Sequence, residues 1–242
     1  INVFLIFLFI LGCVLTKDSI NDKGTYFNPH DLRWGDETNS SVMVLAIHGY
    51  NDYSKSFEMP ANFLTKFNLF VIAFDLRGFG NNNSRGEWYT LERHINDIKN
   101  QITKLKKKYP KKKLYLMGES MGGAILFSLI NSNKILPIDG VILIAPAIWN
   151  FKERNFFKSI TLNFFSKIFP NLSLSGKGLI KVQASDNLGI LKELSDDPFF
   201  IHKPKLKSLN GITNLMDKSF EDAKNYLKNP SYNTLILSLI HI

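Results

Sequence analysis

The feature that most constrains this chain is Gly118-Glu119-Ser120-Met121-Gly122, set between Leu114-Tyr115-Leu116-Met117 and the apolar stretch from Ala124 to Ile130. A short apolar run ending at a glycine reads as a buried strand, and the longer run behind it reads as a helix. A serine with glycines two before and two after it fits a sharp strand-to-helix turn. The glycines Gly118 and Gly122 remove side chains that so tight a turn would not accommodate, and Gly123 adds close packing. A serine hydroxyl is a poor nucleophile unless it is held exposed in a strained turn near a base. The amino end of the following helix stabilises negative charge beside it. Ser120 is therefore the candidate nucleophile.

The flanking sequence repeats the same grammar. Val42 to Ile47, Phe70 to Phe74 and Val141 to Ala145 are further continuous apolar runs, and another begins at Thr234-Leu235-Ile236-Leu237. Between them, Leu91, Ile95, Ile98, Ile102 and Leu105 recur at helical spacing until Pro110. Unalternating strands separated by helices predict an α/β fold, a mostly parallel sheet covered on both faces. The pattern changes after Trp149, where Phe151, Phe156, Phe157, Phe164, Phe165 and Phe169 crowd together without strand alternation. The expected organisation is a leader over residues 1–20, the first part of a core over 21–150, a helical insertion over 151–210, and a return to the core over 211–242. A helix is expected near Ser219 to Leu227.

Composition narrows the remaining options. The 242 residues are 45% hydrophobic and 21% charged, which suits a globular chain rather than a disordered one. The net charge of +9 is mostly lysine and accompanies no nucleic-acid-reading motif, so no nucleic-acid partner is expected. The basic run Lys106 to Lys113 is read as a solvated turn, with contact to anionic lipid as the other reading. Cys13 is the sole cysteine, which excludes an internal disulfide and a cysteine-based metal site. It follows a strongly apolar run from Ile1 and ends Ile10-Leu11-Gly12-Cys13, which resembles a bacterial lipobox, although Leu11 is bulkier than usual there. The run is too short to span a bilayer by itself. A lipoprotein signal with Cys13 as lipidation site, a plain signal peptide or membrane anchor, and a first element of the domain are the three readings. The first two place the protein outside the cytoplasm, exported and associated with a membrane through its amino-terminal run. The third leaves it in the cytoplasm.

A second loop supplies what Ser120 lacks. Acyl transfer builds charge on a carbonyl oxygen, which needs preset N–H donors. His48-Gly49-Tyr50 closes an earlier strand, and the backbone amides of Tyr50 and Met121 are the candidate oxyanion-hole donors. His48 and Gly49 are expected to shape that loop, with His48 as a catalytic base the weaker reading. His94 and His202 are expected to be surface or packing residues.

Together, His48-Gly49-Tyr50, Asp75-Leu76-Arg77-Gly78-Phe79-Gly80 and Gly118-Glu119-Ser120-Met121-Gly122-Gly123, in this order on these strands, resemble the α/β-hydrolase superfamily. The similarity covers about residues 26–237 and is nearest to its monoacylglycerol lipase, lysophospholipase and serine aminopeptidase-like branch. The resemblance implies that Asp75 belongs to a structural turn and that the insertion forms a cap over Ser120. Its phenylalanines then either line an acyl-chain path or pack the cap onto the core.

The resemblance also implies an acid after the strand that begins at Thr234 and a histidine further on. Neither is expected within this chain, and His241 lies too early to serve. The tail Leu237-Ser238-Leu239-Ile240-His241-Ile242 is encoded by one frame of a common sequencing transposon adapter, so the natural sequence is expected to continue differently after Ile236. The expected function is hydrolysis of a lipid-like ester, such as a lysophospholipid or monoacylglycerol, through a Ser120 acyl-enzyme, with no metal or organic cofactor. A serine exopeptidase or thioesterase on the same fold, and a non-catalytic membrane-tethered binding protein, are the alternatives. The chain as given is expected to be nearly inactive, and its oligomeric state is open.

Overall fold

A computed structural model describes residues 29–132, 135–174 and 187–238. The stretch expected to be a leader, Cys13 and His241 lie outside the described residues. Six strands form one sheet in the order β1-β3-β2-β4-β5-β6. They are β1 (Asp31–Trp34), β2 (Val42–Ile47), β3 (Leu69–Phe74), β4 (Lys113–Glu119), β5 (Gly140–Ile144) and β6 (Thr234–Leu237). Strand β1 runs antiparallel to β3, and every other pairing is parallel. The expected parallel sheet with helices on both faces is what the chain forms.

The helices are α1 (Glu58–Thr65), α2 (Leu91–Lys108), α3 (Met121–Asn131), α4 (Phe151–Arg154), α5 (Phe156–Ile168), α6 (Leu188–Asp196) and α7 (Leu206–Tyr226). Successive strand residues point to opposite faces, so each apolar run feeds two cores. Met43, Leu45, Ile47, Phe70, Ile72 and Phe74 pack with Ile98 and Ile102 of α2, Ile125 and Leu129 of α3, and Ile212 and Leu215 of α7. Val44, Ala46, Val71 and Ala73 pack with Phe57 and with Ala61 of α1 on the other face. This two-sided burial explains why the strands read as unbroken hydrophobic runs.

One element differs in its bounds from the sequence expectation, and one pair of open readings is narrowed. The helix expected near Ser219 begins much earlier, at Leu206, so residue 210 lies inside α7 and marks no break in secondary structure. The phenylalanines of α5 do not pack onto the core: Phe156, Phe157, Phe164 and Phe165 are all exposed. The basic run spans the last residues of α2, a short turn and the first residue of β4, and the Lys106 ammonium donates to the Lys112 carbonyl at 2.9 Å.

Candidate active site

The carboxyl ends of β2, β3 and β4 converge on Ser120. Strand β4 ends at Glu119 and α3 starts at Met121, leaving Ser120 as the single joining residue. Its backbone takes φ +50° and ψ −111°, a region L-residues rarely occupy. Such a conformation costs on the order of 1–3 kcal/mol and survives only where the surroundings impose it. Here the Ser120 N–H donates to the Ile144 carbonyl at 2.9 Å, and the Ser120 carbonyl accepts from Ala124 at 3.0 Å and Ala147 at 2.9 Å. Strand β5, its following loop and α3 thus clamp the turn from three sides.

The elbow glycines are there because of distance. A Cβ on Gly122 would sit 2.1 Å from the Ile47 carbonyl oxygen, and one on Gly118 would sit 2.7 Å from Gly122 C and Gly123 N. The first turn of α3 is therefore pressed against the end of β2. The loop after β2 also reaches Ser120: a Cβ on Gly49 would lie 2.3 Å from Glu119 Oε2 and 3.4 Å from Ser120 Cβ. The loop continues through Asn51, which holds a left-handed φ of +67°. Ala124 makes the bond to the Ser120 carbonyl, so the amides of residues 121–123 precede the helical ladder. These contacts put the two predicted donor segments, Tyr50 on the loop after β2 and Met121 at the start of α3, next to the same serine.

His48 is fully buried and both ring nitrogens are engaged. Its Nδ1 bonds the Gly49 carbonyl at 2.8 Å, and its Nε2 accepts from the Leu76 N–H at 2.9 Å. That pattern requires the neutral Nδ1–H tautomer. Burial pushes its pKa down to about 4 despite the Gly49 bond and nearby Asp75. His48 thus ties the loop after β2 to the loop after β3. Asp75 accepts from the Ser54 N–H at 2.9 Å and the Asn81 N–H at 2.8 Å, organising that second loop. Arg77 donates to Asp97 of α2 through a buried pair of bonds at 2.9 and 3.0 Å.

His94 is fully enclosed by Phe79 and Trp88, with no hydrogen bond to either ring nitrogen. Burial, helped by His48 and Arg77, pushes it down to about 3. His202 is exposed and bonds the Asp197 carbonyl at 3.0 Å through Nε2. No described histidine hydrogen-bonds Ser120. Among the described residues, no group of three or more His, Cys, Asp or Glu is arranged to hold a metal ion.

Two carboxyls beside the elbow were not singled out from the sequence. Burial, with Asp52 adding to it, raises Glu119 to about 7. Burial, with Asp197 and Asp75 adding to it, raises Asp52 to about 6. Glu119 is thus largely uncharged at mildly acidic pH. The signal was present, an acidic residue inside the turn motif next to the nucleophile, but its protonation depends on burial.

The helical insertion is bound to this loop. Tyr50 shares a hydrogen bond with Ser208 of α7 at 2.9 Å, and burial raises its phenol to about 12. The Tyr53 hydroxyl donates to Asp197 at 2.6 Å, and the Ile201 N–H donates to the Asn51 carbonyl at 2.9 Å. Below α6, residues including Asp52, Tyr53, Met59, Ile190, Leu194 and Asp197 line a cavity of about 410 Å³.

Comparison with known proteins agrees with this geometry. A family model described as serine aminopeptidase, S33 matches residues 38–238. Human monoglyceride lipase is 28% identical over 145 residues, covering 58% of this chain and 47% of that protein. Phospholipase YtpA of Bacillus subtilis is 21% identical over 191 residues, covering 78% of this chain and 72% of that protein. The chain spans about half the length of the first of these relatives. The structure of a Paleococcus ferrophilus monoacylglycerol lipase superposes with a TM-score of 0.68 at 19% identity, covering 88% of this chain and 89% of that one. A soluble variant of monoglyceride lipase from Saccharomyces cerevisiae gives 0.70 at 19% identity, over 89% and 74%. At such identities the likeness establishes a shared α/β-hydrolase fold.

Proposed function

This chain belongs to the serine aminopeptidase S33 family of α/β-hydrolases, and from that premise we propose that it serves the cleavage of lipid-like carboxylic esters through a covalent Ser120 acyl-enzyme. The observation that carries the proposal is Ser120 itself, strained at φ +50° at the head of α3 with the Gly49 turn against it. A binding module has no use for a serine held in that way, whereas a nucleophile does.

In the proposed reaction Ser120 Oγ attacks the ester carbonyl. The carbonyl oxygen gathers charge and is received by the Tyr50 and Met121 amides, with the dipole of α3 aimed at it. The alcohol leaves with the proton that a base removed from Ser120, and water then releases the acyl group. That base is none of the described histidines. His48 is committed through both nitrogens to holding the loops together, and His94 is sealed behind Phe79 and Trp88.

The choice of a lipid-like monoester is supported by the relatives, which include proteins named monoglyceride lipase and phospholipase. The test is a panel of p-nitrophenyl esters of graded chain length beside aminoacyl-anilides, given to protein made from the full natural coding sequence. Medium or long acyl esters should be cleaved fastest. Cleavage of anilides with long esters ignored would replace the lipid reading by an exopeptidase one.

A further inference from the structure

The loop after β2 is hydrogen-bonded to the core at its two ends. At one end the His48 ring bonds the Gly49 carbonyl, and at the other the Ser54 N–H donates to Asp75. Between them, Asn51 holds its left-handed φ of +67° without help from its own side chain, whose buried Oδ1 has no hydrogen bond among the described residues. An L-residue keeps such a backbone only where its surroundings impose it. Here the surroundings are residues 197–208. Asp197 accepts from the Tyr53 hydroxyl at 2.6 Å, the Ile201 N–H donates to the Asn51 carbonyl at 2.9 Å, and Ser208 shares a hydrogen bond with the Tyr50 phenol at 2.9 Å. The Tyr50 ring also meets Phe79 and Trp88 edge to face, with centroids 6.0 and 6.3 Å away, and Trp88 lies directly on Gly211 of α7. A tyrosine has two side-chain torsions, each confined to a few wells. Pinning its ring and its hydroxyl therefore pins its Cα and the adjoining N–H.

Helix α7 reaches the other candidate donor as well. A buried stripe at helical spacing runs along it through Ser208, Gly211, Leu215, Ser219 and Asp222. Ser219 shares a buried hydrogen bond with Ser128 of α3 at 3.0 Å, and Asp222 accepts from Asn131 at the end of α3 at 3.1 Å. Helix α3 is the one that opens with Met121. A stripe that served core packing alone would be apolar. Three of these five positions are polar, and each bonds an element that carries a candidate donor.

We propose that Ser208 is a positioning residue: through the Tyr50 phenol it holds the Tyr50 amide in place relative to that of Met121, and α7 thereby sets the spacing of the oxyanion hole. The inference rests on the acyl-enzyme reading above. The part played by Ser208 is indirect, since its hydroxyl is buried and engaged with the phenol. A buried phenol also wants a partner for stability alone, so positioning has to be separated from packing.

The experiment compares the wild type, Ser208→Ala, Tyr50→Phe, the double variant and Tyr226→Phe, all made from the full natural coding sequence. Tyr226 supplies the control, because its phenol bonds Thr234 at 2.8 Å at the far end of the same helix. Tyr226→Phe thus removes a comparable bond from α7 without touching the loop. Steady-state hydrolysis of a p-nitrophenyl ester and amide exchange of residues 48–53 are read at a temperature where melting curves show every variant folded. In Ser208→Ala and Tyr50→Phe, kcat should fall about tenfold, short of the about 10²–10³ for outright loss of a donor. KM should stay within about twofold. The double variant should be no worse than either single one, since all three lack the same bond. Exchange of residues 48–53 should speed up in these three while that of β4 stays as in the wild type. Tyr226→Phe should melt lower yet keep the wild-type kcat and loop exchange. An unchanged kcat in Ser208→Ala, losses that multiply in the double variant, or an equal fall in Tyr226→Phe overturns the proposal. A protein that cleaves no ester in any form defeats the acyl-enzyme reading instead. Loop exchange then decides the tether alone, and unchanged exchange in Ser208→Ala overturns it.

Discussion

The turn at Ser120 and the helix α5 show opposite relations between residue type and place. At the turn, small residues sit where backbone meets backbone: Gly122 leaves no room for a Cβ beside Ile47, and Gly49 none beside Glu119. On α5, small residues also face inward, at Ser159 and Ser166, but large apolar ones face solvent. In the first region the interior dictates the sequence. In the second, the outward side chains contribute nothing to the interior, so their identity calls for a surface-based explanation. Substitutions should therefore be expensive at the carboxyl ends of the strands and nearly free on the outer face of α5.

The largest effect is expected at Asp97→Ala. It strips the carboxylate from the Arg77 guanidinium, which lies buried behind the loop after β3. Breaking a buried pair in this way costs about 3–5 kcal/mol, measurable as a shift in the urea midpoint. Gly122→Ala should follow at about 3 kcal/mol, because the new methyl group meets a backbone carbonyl that no rotamer change can move. A melting curve indistinguishable from the wild type would mean that α3 and β2 are not in contact as described.

A third effect depends on pH. His94 falls from 6.5 to about 3 on folding, so the unfolded chain binds a proton that the folded chain refuses. Stability is then fully present above pH 6.5 and is lost as pH falls toward 3. Glu119, raised to about 7, acts with the opposite sign, its contribution being lost as pH rises from 4.5 through 7. Comparing His94→Phe with the wild type cancels that second contribution. Between pH 7 and pH 4.5 the wild type should lose on the order of 2 kcal/mol more than the variant. Equal losses would show that His94 is hydrated in solution. The smallest effect is reserved for Phe164→Ser, expected to change stability by no more than about 0.5 kcal/mol. A large loss there would break the contrast between the two regions.

The same contrast explains what was legible beforehand. Strand β2 begins and ends where its apolar run does, because burial on both faces leaves no polar position to blur it. Strand β1, with alternating half-buried and exposed residues in Asp31–Trp34, lies at the sheet edge and carries no such run. Helix α1 contains Pro60 and buries only Ala61, so neither propensity nor periodicity announces it. The first half of α7 is diluted by Asn210 and Gly211, and the reason is tertiary: a Cβ on Gly211 would sit 2.1 Å from the Trp88 ring. At the site, the motifs located Ser120, Gly49 and Gly122 by residue type. The raised carboxyls of Glu119 and Asp52 come from burial that only the assembled fold creates.

The central claim is that the strained turn presents Ser120 as a nucleophile. The direct measurement is fluorophosphonate labelling of protein carrying the full natural coding sequence, followed by peptide mass spectrometry. A single adduct on the peptide containing Ser120, absent in Ser120→Ala, is the predicted result. Ester hydrolysis that continues in Ser120→Ala, or an adduct on another residue, would contradict it.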